Sequence, residues 1–173
     1  LSRGAKTGAE ATERLRSYLP RYSQVARLAG MGAEFDAIKD VDVVEEYPGT
    51  GSTDFWGISF AFSNIDRQVM SADELERALM LLRACWAFFD DVRGRVSAEL
   101  RKGPRGGGRD RDRIIRHILA NEQDWAKGLG VVASLVTADG PLPTDEELKA
   151  FRDAYCHGIR DYHSQGKTAG KWP

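Results

Sequence analysis

Leu100-Arg101-Lys102-Gly103-Pro104-Arg105-Gly106-Gly107-Gly108-Arg109-Asp110-Arg111-Asp112-Arg113 runs straight into Ile114-Ile115-Arg116-His117-Ile118-Leu119-Ala120-Asn121-Glu122-Gln123-Asp124-Trp125. Pro104 and four glycines cannot continue a helix, so two long helical patterns must meet here through a turn. The turn is charged as well as flexible. From Arg101 to Arg116 there are seven basic residues and two acidic ones. The helix that follows carries one histidine. This elbow makes the chain a set of helices joined end to end.

Upstream of the elbow lies the strongest helical pattern, Ser71 to Lys102. Ser71-Ala72-Asp73-Glu74 reads as a capping box, in which the serine oxygen takes a backbone N–H and the glutamate reaches back. Leu75, Leu79, Leu82, Trp86, Phe89, Val92 and Val96 then hold one face, which is the stripe of a core-forming bundle helix. Downstream, Asp110 or Asp112 caps a helix reaching about Gly128. Its apolar face is Ile114, Ile115, Ile118, Leu119, Trp125 and Ala126, and Gly128 and Gly130 stop it. Val131 to Val136 is too short for its period to decide between helix and strand. Asp139-Gly140-Pro141 is a turn. Thr144-Asp145-Glu146-Glu147 is a second capping box, opening a helix from Thr144 to Gln165 with Leu148, Phe151, Tyr155, Ile159 and Tyr162 on its buried stripe.

The beginning of the chain is less regular. Glu10 to Ala29 has helical spacing in Leu15, Tyr18, Leu19, Tyr22, Val25, Ala26 and Ala29. Pro20 kinks or divides it, and Gly30 and Gly32 end it. Ala37 to Tyr47, with Val41, Val43 and Val44, reads as a short strand or an extended segment. Thr50 to Met70 has no clean period. Its Asp54-Phe55-Trp56-Gly57 and Phe60-Ala61-Phe62 either plug one end of a helical core or line a site. The expected fold is mainly α: one helical-bundle domain over residues 1–173, with an irregular or short-strand insertion between the first and second helices.

Composition narrows function by exclusion. The chain has 173 residues, 42% of them hydrophobic, enough for a core, and its net charge of −1 argues against a protein that coats nucleic acid. No apolar run approaches a membrane span of about 20 residues. Cys85 and Cys156 read as reduced thiols, which suits a cytoplasmic protein. The elbow has no phosphate-loop signature, and no nucleophile elbow or cysteine–histidine triad motif is present. Its arginines could grip a phosphate or carboxylate, or the elbow is a solvated loop whose aspartates pair some of them. The three histidines, His117, His157 and His163, could in principle hold one metal. However, His157 and His163 stand six residues apart, a poor spacing for chelation on a helix.

The segment Asp112 to Trp125, with its histidine, aliphatic residues, acid and aromatic, resembles the second-helix motif of the DinB-like superfamily. The glycine-rich elbow and Tyr18-Leu19-Pro20-Arg21-Tyr22 look like a bacterial branch of it. The resemblance implies an antiparallel four-helix bundle of up-down-down-up topology, with zinc or nickel held by three histidines. It also implies a thiol-dependent transferase or isomerase, or a hydrolase, using a low-molecular-weight thiol. His117 matches the first ligand. The other two belong to a His-x-x-x-His pair on the last helix. That pair is missing here, so the resemblance leads one to expect a chain that continues beyond Pro173; the start at Leu1 rather than at a methionine separately leads one to expect residues upstream. Arg105, Arg109 and Arg113 are then expected to bind an anionic small-molecule substrate, and an exposed helix face to pair two copies. The alternative expectation is a non-catalytic ligand- or protein-binding bundle without the metal site.

Overall fold

The computed structural model describes residues 4–48, 64–103, 108–137 and 139–166. The aromatic cluster Phe55 to Phe62, Arg105, and the Lys171-Trp172-Pro173 end lie outside them. Among the described residues the chain is mainly helical, with five helices and no strand: α1 Gly8–Leu28, α2 Gly32–Asp36, α3 Ala72–Arg95, α4 Arg111–Lys127 and α5 Asp145–Ser164. None of the described helices is long and apolar enough to cross a membrane. The chain divides into two compact units, 1–88 and 89–173, with the boundary inside α3.

In the first unit, Thr7 caps α1 by accepting the Glu10 N–H at 3.2 Å. Pro20 sits inside α1 without dividing it. Lacking an N–H, it leaves the Arg16 carbonyl without its usual donor. The helix ends in a tight glycine cap. Gly30 takes φ 73°, the Met31 N–H bonds Ala26 O at 2.8 Å, and the Gly30 N–H bonds Arg27 O at 3.0 Å. The single-turn α2 then packs back on α1, bringing the Tyr22 and Phe35 rings to 5.9 Å. Val25, Ala26, Met31, Leu75, Leu79, Ala84 and Trp86 are buried in this unit. Of the two expectations for the segment around Val41–Val44, a short strand or an extended stretch, the strand does not form. Residues 38–48 have no regular structure, and Val43 and Val44 are exposed. Their β-branched side chains favour a sheet surface, but among the described residues there is no ladder to join. The segment is tied down by charge instead: Arg16 holds Asp40 at 2.6 Å.

In the second unit, Ile115, Leu119 and Leu148 form a buried cluster, with Phe89, Leu135, Val136 and Leu142 packed against it. Burying one such leucine contributes about 1.5–3 kcal/mol. Both capping boxes form. Ser71 and Glu74 exchange bonds of 2.8 and 3.3 Å, and Thr144 and Glu147 bonds of 2.8 and 3.2 Å. α4 ends through Gly130 at φ 79°, with the Val131 N–H on Ala126 O. Gly128 keeps an ordinary right-handed conformation.

Two expectations need correction. α3 stops at Arg95, seven residues before Lys102, because the elbow takes up the backbone beyond it: the Leu100 N–H bonds the Asp110 carboxylate and the Arg111 N–H bonds Ala98 O. Trp125 is 52% exposed, while Glu122 occupies the buried stripe with Ile115, Leu119 and Ala126.

Candidate functional site

The head of α4 is where charge and exposure coincide. Asp110 occupies the N-cap position, with φ −72° and ψ 165°, yet its side chain does not cap the helix. The carboxylate turns back across the elbow to accept the Leu100 N–H at 3.2 Å and the Lys102 ammonium at 2.8 Å. The Lys102 hydrogen bond, then the Leu100 N–H, hold this carboxyl below the usual aspartate range, with the charges of Lys102 and Arg113 acting in the same direction. Arg111 closes the elbow from the other side. Its N–H bonds Ala98 O at 3.0 Å, its guanidinium reaches Val96 O at 3.3 Å, and its Nε pairs with Asp112 at 2.8 Å.

This geometry sorts the basic residues into two groups. Lys102 and Arg111 are committed to elbow closure. Arg116 is committed to the Gly140 carbonyl, which it grips with two N–H groups at 2.8 and 3.1 Å. Arg101, Arg109 and Arg113 are exposed, and among the described residues no carboxylate lies within ion-pair distance of them. The pairing of some basic residues expected of a solvated loop is thus seen for Lys102 and Arg111, while Arg101, Arg109 and Arg113 remain exposed. Arg113 and His117 stand one turn apart on α4, so they share a flank.

His117 is exposed. Its carbonyl accepts the Asn121 amide at 2.6 Å, and the same amide nitrogen lies 3.5 Å from Nδ1. His157 is exposed on α5, with Nε2 3.3 Å from Asp161, and His163 lies half-buried near the end of that helix. Among the described residues no three histidine, cysteine or acidic side chains gather as a metal-binding set. The residues described here do not fit a three-ligand centre. Neither cysteine is in a disulfide. Cys156 is sealed, and partial burial pushes the Cys85 thiol up.

Two features of the second unit lie outside the expectations above. Asp90 accepts from Nη1 and Nη2 of Arg152 and from the Nε of Arg93, and Arg93 in turn reaches Asp145 at 2.8 Å. Burial pushes the Asp90 carboxyl up, but the bonds and charges of Arg152 and Arg93 outweigh it and leave it below the ordinary range. Burial also raises the Tyr155 hydroxyl, and the charge of buried Glu122 adds to the effect. Glu122 was legible: it falls seven residues after Ile115 and three after Leu119, on the core stripe. The Asp90–Arg152 pair spans 62 residues and leaves no local signal.

Compared with protein-family models, curated proteins and solved structures, the chain matches none.

Proposed function

We propose that this chain is a non-catalytic helical binding module that recognises an oxyanion, a carboxylate or phosphate, on the open arginine face at the head of α4. Arg109 and Arg113 are its contacts, with His117 one turn further on. Arg105 joins them on charge and sequence position alone. The observation that carries this reading is the division of the elbow's charges: Lys102, Arg111 and Arg116 have protein partners, whereas Arg109 and Arg113 are exposed and, among the described residues, within ion-pair distance of no carboxylate, Asp110 feeling Arg113 only through its charge. A guanidinium presents a planar fork that matches a carboxylate or phosphate edge, and charge assistance makes such bonds about twice as strong as neutral ones. The test is a titration with inorganic phosphate and with citrate at low and at raised salt. Saturable binding that weakens with salt is expected, and it should fall at least about tenfold in the Arg109→Gln/Arg113→Gln double variant. Lys149→Gln, which removes another exposed charge, paired with Asp153, should leave binding intact. Equal losses in both variants, or none in either, refute the reading.

A second reading keeps the DinB-like four-helix bundle and its metal-dependent thiol transfer or hydrolysis. The exposed ring of His117 favours it, since this is the position that matches the first ligand. The described residues do not supply two further ligands, so no chemical step is derived through a metal. Elemental analysis of the longest native form and of its His117→Ala variant decides. About one zinc or nickel per chain, lost in the variant, supports this reading, and no metal in either removes it.

A further inference from the structure

A groove in the first unit, apart from the elbow, combines an apolar floor with an exchangeable ion pair. It encloses about 280 Å³ along α1 and α2. Leu19 and Phe35 are half-buried in its floor, and Pro20 and Ile38 stand exposed at its edges. At one side Arg27 Nη2 meets both oxygens of Asp36, at 3.1 and 3.2 Å. Both side chains are 57% exposed, so the pair is weakly held against water.

The position of Arg27 is nevertheless specified. Ser23 Oγ accepts its Nη1 at 3.1 Å. Its stem also crosses Gly32 so closely that a Cβ there would fall 2.9 Å from Arg27 Cγ. Only glycine leaves the stem that path. The guanidinium is therefore placed at the groove while its partner remains replaceable.

We propose that this groove binds a free α-amino acid with an apolar side chain. The ligand carboxylate takes Arg27, its ammonium takes Asp36, and its side chain covers Leu19, Phe35 and Ile38. A zwitterion exchanges one ion pair for two of matched sign. A ligand with a single charge would satisfy one member and leave the other without its partner. The volume lies just below the range of about 300–1,000 Å³ usual for small-molecule sites, which suits a ligand of amino-acid size.

The test is a titration of the whole chain with L-leucine, followed by NMR shifts of the Phe35 and Ile38 signals. The comparison ligands are N-acetyl-L-leucine, which has only the anion, and L-leucinamide, which has only the cation. Saturation is expected with a dissociation constant of about 1 mM, and each analogue should bind at least about tenfold more weakly. Gly32→Ala keeps both charges but displaces the Arg27 stem, and should weaken leucine binding by a similar factor. No saturation by about 10 mM, or analogues that bind as tightly as leucine, overturns the proposal. The analogue comparison uses the unaltered chain, so it stands even if Gly32→Ala disturbs α2.

Discussion

Replacing Gly158 with alanine sets two effects against each other within one helix. Propensity favours alanine inside a helix by about 0.8–1.0 kcal/mol. Packing opposes it. A Cβ at Gly158 would lie 2.8 Å from Val131 Cγ2 and 3.4 Å from both Leu129 Cβ and Leu129 O. Carbon atoms rest at about 3.5–4.0 Å, so Val131 or α5 must retreat by about 1 Å. Val131 is stiff at χ1, and its N–H is held by Ala126 O at 3.0 Å. Overpacking of this kind costs about 1–3 kcal/mol, leaving a net destabilisation of about 1 kcal/mol. Gly94 provides the internal reference. It belongs to the same unit, and a Cβ there meets nothing within 4 Å. It lies near the end of α3, so Gly94→Ala should stabilise by about 0.5 kcal/mol. Urea unfolding followed by circular dichroism should separate the two variants by about 1.5 kcal/mol, or about 3–6 °C in Tm. If Gly158→Ala proves as stable as Gly94→Ala, the contact with residues 129–131 is not where the structure places it.

The Asp90→Asn variant should lose about 1–2 kcal/mol at neutral pH, because Arg152 and Arg93 lose their shared counter-charge in a half-buried site. The folded carboxyl lies below its ordinary value, so its contribution is present above the unfolded carboxylate pKa and disappears as pH falls through the folded one. The stability gap between native chain and variant should thus close as pH drops from about 5 towards 3, and a gap constant with pH would contradict the pairing. Thr144→Ala removes the hydroxyl that accepts the Glu147 N–H and should cost about 1 kcal/mol in thermal unfolding. No change in Tm would show that the capping box does not hold α5 in solution.

What could be read in advance is what the chain encodes locally. Ser71 and Thr144 begin their helices as the spacing to Glu74 and Glu147 indicates, since a capping box needs only four consecutive residues. Gly30 and Gly130 end helices because their positive φ is nearly free for glycine. The turn α2 was missed, as five residues are too few to show a period. The early end of α3 was missed because Asp110 claims Leu100 from ten residues away. The candidate site divides in the same way. The basic elbow is plain in the sequence. Which arginines stay available is not, because the partner of Arg116 is a carbonyl 24 residues downstream.

Gln123 has a consequence for the way the second unit opens. Its side-chain oxygen accepts the N–H groups of both Leu135 and Val136. One amide thus replaces a neighbouring strand for a segment that has no ladder of its own. Leu135 and Val136 also pack against Ile115, Leu119 and Leu148. Their protection from amide hydrogen exchange therefore reports on a helix twelve residues upstream. An opening that unwinds α4 at Gln123 releases both amides together.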